Sequence, residues 1–143
     1  MHPITVASMN IAAARPSDAV AVIRRTLALA HRFFNAVVIL AVVAQYYTIG
    51  LVMFGVTGLT LHRSIGSVTL IGGLLSFLTA LGAGRVLARP LAALGILGLL
   101  LLQPALAFGL RGAAPAFAAL HAVNGLLILG LAVRMHLRGP TRM

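Results

Sequence analysis

The stretch FFNAVVILAVVAQYYTIGLVMFGV, residues 33–56, decides the fold. It contains no charged side chain from end to end. About 20 such residues in α-helix cross the hydrocarbon core of a bilayer. The apolar positions are continuous, without the period-two alternation of a membrane barrel strand. Leu and Ala dominate the apolar stretches and favour helix.

Three further stretches of the same kind follow. Residues 61–84 carry one charge, Arg63, at the leading edge. Residues 91–110 carry none. Residues 115–137 carry Arg134 near the trailing edge. The links, residues 56–60, 85–90 and 111–115, are short, and short links make sequential helices antiparallel neighbours. Gly58 and Gly112 supply turn conformations, while Pro90 and Pro115 suit the first turn of a helix. The sequence thus predicts an all-α fold: a polytopic membrane four-helix bundle over residues 31–137.

Composition supports this and removes most catalytic chemistry. The chain has 143 residues, 61% hydrophobic and 8% charged, with eleven Arg, one acid (Asp18) and neither Glu nor Cys. A soluble domain carries about a quarter of its residues as charged side chains. One Asp cannot form a carboxylate pair or a two-metal centre. Without Cys there is no disulfide, thiolate zinc site, iron–sulfur cluster or covalent haem motif. The net charge of +10 does not indicate nucleic acid, because the Arg residues lie between apolar runs rather than along one soluble face.

The Arg distribution instead predicts orientation. Arg15, Arg24, Arg25, Arg32, Arg85, Arg89, Arg134, Arg138 and Arg142 fall on one side, and Arg63 and Arg111 on the other. Positively charged flanks stay cytoplasmic, so both termini are expected in the cytoplasm of a multi-pass inner (plasma) membrane protein. Residues 1–30 then form a cytoplasmic N-terminal tail and residues 138–143 a cytoplasmic C-terminal one. In the first, Val20, Ile23 and Leu27 with Arg24 and Arg25 form a short basic amphipathic helix. It is either a lipid-surface helix or a helical run-in to the first span; its short apolar face favours the run-in. A cleaved signal peptide is not expected, because the Arg residues lie late and the apolar run after them is of spanning length.

The two halves of the chain resemble each other. Gln45 precedes His62 by nearly the same interval, to within one position, as Gln103 precedes His121. Each His follows a Leu and is followed one helical turn later by Gly, at Gly66 and Gly125. Two helical hairpins related by an axis along the membrane normal form a parallel repeat. Such an axis sets His62 and His121 opposite each other near the outer leaflet.

Two facing imidazoles, with no thiols and no carboxylates nearby, predict axial ligation of a b-type haem, with His62 and His121 as the iron ligands. Gly66 and Gly125, one turn beyond each His, leave room for a flat macrocycle. Arg63 and Arg111 stand at the same level, where haem propionates need cations. Asn124 shares a face with His121 and is placed to orient an imidazole. The plainer account is interfacial hydrogen bonding by the His residues, close packing at the Gly residues and headgroup contact by the Arg residues. His31 and His136 form a second, weaker pair near the inner face. Gln45 and Gln103 are expected to clamp the first helix to the third.

The segments His31-Arg32-Phe33-Phe34-Asn35, Leu61-His62-Arg63-Ser64-Ile65-Gly66 and Leu120-His121-Ala122-Val123-Asn124-Gly125 carry two resemblances. Over about residues 29–137 the chain resembles a group of small uncharacterised bacterial four-helix membrane proteins classed as a domain of unknown function. The His-bearing second and fourth helices also resemble one four-helix half of haem A synthase, which implies paired haem ligands at His62 and His121. Haem A synthase has two such bundles and a catalytic Glu and Cys in outer loops. This chain has one bundle, no Glu and no Cys, so the implication reaches haem binding and not haem A synthesis.

The expected function is electron transfer or haem handling around one haem b, beside a membrane redox partner or within a homo-oligomer. Independent catalysis is not expected, since imidazole is almost the only reactive group. The competing expectation is a non-redox accessory or scaffold subunit, or a small-solute permeation helper, without cofactor. Its Gly-rich, nearly uncharged interior would serve packing against other membrane helices.

Overall fold

The computed structural model describes residues 18–83, 88–109, 114, 116 and 119–138. Among them, four helices are long and apolar enough to cross a membrane, and there is no strand. Helix α1 is Asp18–Met53, α2 Leu59–Ala83, α3 Ala88–Pro104 and α4 Leu120–Leu137. Beyond Pro104 the backbone continues as a π-helical turn, Ala105–Gly109.

Helix α1 begins well before residue 33, because the apolar run marks lipid rather than helix. Residues 18–32 contain neither Gly nor Pro, and Asp18 in the first turn complements the helix dipole. Residues 18–30 are therefore continuous with the first span. The helix closes by Val56 N–H to Leu51 O (2.9 Å) and Gly55 N–H to Val52 O (3.1 Å), with Gly55 at φ +71°. This is a Schellman motif, and its left-handed residue favours glycine. In α3, Pro90 occupies the first turn as expected. Most of the expected first turn of the last span lies outside the described residues, as do Arg15, Arg85, Arg111 and Arg142.

Packing contacts join α1 to α2, α2 to α3, α3 to α4 and α4 to α1, so α1/α3 and α2/α4 are the diagonal pairs of a four-helix bundle. The core is Val38 and Val42 of α1, Ile96 and Leu100 of α3, and Ile128 and Ala132 of α4. Helix α2 adds Thr69, Gly72, Gly73, Ser76 and Ala80 to its buried face instead. Those small residues recur every three or four positions, along one helix face. A methyl group on Gly72 would stand 3.4 Å from Val38 Cγ2, and one on Gly82 would stand 2.6 Å from Leu27 Cδ1. The large apolar side chains point outward instead: Phe33, Leu40, Ile71, Leu101 and Leu126 are all exposed on the bundle surface. That inversion is the arrangement a lipid solvent favours, where small residues let helices approach.

Polar side chains tie the helices together through backbone carbonyls. Asn35 Nδ2 donates to Ala132 O (2.9 Å), joining α1 to α4. Asn124 Nδ2 donates to Leu99 O (2.8 Å), joining α4 to α3. His31 Nδ1 donates to Ser76 O (2.9 Å), joining α1 to α2. A carbonyl inside a helix has a second lone pair to offer, so these bonds cost no helical bond.

Candidate functional site

At the end of the bundle where α2 and α4 begin, the four helices line a partly open cavity of about 610 Å³. That is within the range of small-molecule and cofactor sites, about 300–1,000 Å³. Its walls are mostly apolar, including Val42, Ile49, Leu100 and Ile128. His62, His121, Gln45, Gln103, Tyr46 and Arg63 supply the polar groups.

His62 and His121 come from diagonal helices, yet their ring centroids lie 6.3 Å apart with an interplanar angle of 62°. Each imidazole meets a carbonyl of the preceding helix. His62 Nδ1 lies 3.2 Å from Gln45 O, and His121 Nδ1 lies 3.3 Å from Gln103 O. A carbonyl only accepts, so in both rings Nδ1 carries the proton. In the neutral form of each ring Nε2 then carries the lone pair, the state in which imidazole binds a metal. His62 has one further partner: Thr48 Oγ1 is 3.3 Å from its Nδ1 and itself donates to Gln45 O at 3.1 Å.

The other expected site residues divide. Gly66 and Gly125 both line the cavity, but side chains already stand over them. A methyl group on Gly66 would sit 3.5 Å from Gln45 Nε2; one on Gly125 would sit 2.7 Å from Tyr46 Oη and 3.4 Å from Gln103 Nε2. Arg63 lines the rim, with its guanidinium carbon 5.6 Å from the centre of the Phe108 ring. Arg111 lies outside the described residues. Asn124 donates its Nδ2 amide to Leu99 O at 2.8 Å, across to α3.

The expected clamp of the first helix to the third is also corrected. Helices α1 and α3 are diagonal, so Gln45 turns to its neighbour and donates from Nε2 to Thr69 Oγ1 at 2.9 Å. Thr69 in turn donates to Ile65 O at 2.8 Å. Gln103 Oε1 is buried with no partner among the described residues. At the other end, His31 is held by Ser76, and His136 Nδ1 is buried with no partner among the described residues.

Two contributors escaped the sequence reading. Tyr46 reaches from α1 to donate to Ala122 O at 2.5 Å, beside His121. The π-helical turn after Pro104 presents Ala107 and Phe108 to the cavity. Pro104 was its only signal, since proline removes a helical donor and clashes with the carbonyl four residues back. No known family model, no curated protein and no solved structure matches this chain. The resemblances drawn above rest on the motif residues alone.

Proposed function

We propose that the protein is a multi-pass inner-membrane protein with both termini cytoplasmic, which binds one b-type haem between His62 and His121 for electron transfer or haem handling. The two hairpins would be related as a parallel repeat. In support, the contacts between the first two helices pair His31 with Ser76, Gln45 with Thr69 and Thr48 with His62, a descending series. The Gln carbonyl-to-His contact recurs in the second half.

The observation that carries the proposal is the imidazole pair. Metal–imidazole bonds are about 2.0–2.1 Å, and a ring centre lies roughly 1.1 Å behind its nitrogen. Two imidazoles in trans on one ion therefore place their centres about 6 Å apart. The 6.3 Å between the ring centres of His62 and His121 is close to that spacing. Haem held this way supplies one-electron redox chemistry. The chain's part is to fix both tautomers through Gln45 O and Gln103 O, exclude water with the apolar wall, and offer Arg63 to a carboxylate at the rim. With no carboxylate or thiol in the site, a redox partner in the membrane would deliver or take the electron.

The test is spectroscopic. Detergent-purified protein, supplied with haem, is expected to show a Soret band that is lost when both His62 and His121 are changed to Ala. No band in the wild type, with haem added, rejects cofactor binding and leaves the accessory-subunit reading. A band that survives the double substitution rejects the site.

A further inference from the structure

Although their sequence contexts match, the two imidazoles are held differently. His62 Nδ1 has two partners, Gln45 O and Thr48 Oγ1, both on α1. Thr48 is buried, so water does not compete for its hydroxyl. His62 is the fourth residue of α2, and the connection leading to it is closed by the Schellman motif at Gly55.

Among the described residues His121 has one hydrogen-bond partner, Gln103 O, at 3.3 Å. That carbonyl belongs to the residue before Pro104, where α3 gives way to the π-helical turn. The Tyr46 hydroxyl secures the neighbouring carbonyl of Ala122, not the imidazole. It holds the α4 backbone beside His121, while Gln103 O is the tether of the ring itself among the described residues.

We infer that the two histidines have unequal roles: His62 is the anchoring ligand, and His121 is an exchangeable one that yields its position to a small exogenous ligand. This rests on the haem reading above. The exchange breaks the bond to His121 Nε2 and forms one to the incoming donor, with no change in oxidation state. Tyr46 would keep the helix still, so that only the ring swings. The ligand class is a small neutral donor that fits the apolar cavity, with carbon monoxide and free imidazole as the probes.

The experiment compares His62→Gly with His121→Gly in the full chain. His121→Gly is expected to retain haem, become five-coordinate and bind added imidazole, whereas His62→Gly loses haem. Ferrous wild type should bind carbon monoxide with loss of the His121 ring signal and not that of His62. Thr48→Val should weaken haem retention and Thr48→Ser restore it. Nitrogen-15 NMR of histidine-labelled, haem-free protein gives a separate readout. The Nδ1 proton of His62, shared between two acceptors, should exchange with water about twofold or more slowly than that of His121, the lower end of a hydrogen bond's net weight. Equal loss of haem in the two Gly variants, retention only in His62→Gly, or equal proton exchange overturns the inference. Wild type that takes up no haem defeats the haem reading, while the exchange comparison still decides whether the rings are unequally held.

Discussion

Replacing Gly125 with Ala should destabilise the bundle, and the equivalent change at Gly66 should not. The added methyl at residue 125 meets Tyr46 Oη at 2.7 Å and Cζ at 3.3 Å, so the phenol must withdraw. It then gives up its bond to Ala122 O. Overpacking costs about 1–3 kcal/mol, and an interhelical hydrogen bond in a membrane protein is worth about 0.6–1.7 kcal/mol. Better helix propensity returns about 0.8–1.0 kcal/mol. The net loss for Gly125→Ala is thus about 0.6–4 kcal/mol. At residue 66 the methyl meets only Gln45 Nε2, at 3.5 Å, an ordinary contact. Gly66→Ala should therefore be neutral or stabilising by up to about 0.8 kcal/mol. Tyr46→Phe removes the clashing hydroxyl oxygen, so the pair Tyr46→Phe with Gly125→Ala should be less damaging than the sum of its parts. The assay is reversible unfolding in mixed micelles, followed by helical circular dichroism, across the double-mutant cycle. Equal losses at residues 66 and 125, or strict additivity with Tyr46→Phe, would refute the argument.

Asn35→Leu removes the bond to Ala132 O together with an acceptor, Oδ1, that is buried without a partner. The same unfolding assay should show a loss below about 1 kcal/mol, because deleting an unsatisfied group offsets deleting a bond. A methyl on Gly73 would fall on Leu100 Cδ1, so Gly73→Ala should destabilise and Leu100→Ala should relieve it in the double variant. Failure of that relief in a thermal melt would mean α2 and α3 separate instead of repacking. A reporter fused after Met143 should read cytoplasmic, and a periplasmic signal would overturn the orientation drawn from the Arg count.

The four helices were legible because lipid-facing surface needs long apolar runs, which a sequence displays directly. The same property hid the start of α1. Asp18 opens the helix through ordinary propensity, and nothing apolar marks that point. The meeting of His62 and His121 could be anticipated from their matched spacings. Their hydrogen-bond partners could not, since Gln45 and Gln103 contribute backbone oxygens, which every residue has. The Leu99 partner of Asn124 was not legible either, because an amide near a His suits a ligand holder and a helix clamp equally well. Only the carbonyl of Leu99 decides between them. Tyr46 over Gly125 depends on a phenol crossing between helices, which no local pattern encodes.

The 36 residues of α1 give the opening helix a further property. At 1.5 Å per residue it is a rod of about 54 Å, against a hydrocarbon thickness of about 30 Å. Leu27 braces it against Gly82 of α2, and Asp18 to Thr26 continue past that support, carrying Arg24 and Arg25. The same rod bears Gln45, Tyr46 and Thr48, through which His62 and the start of α4 are held. Contacts from His31 to Thr48 fix the rod to α2 and α4, so the Arg-bearing arm stands at a set distance from the cavity, roughly 30 Å along the helix axis.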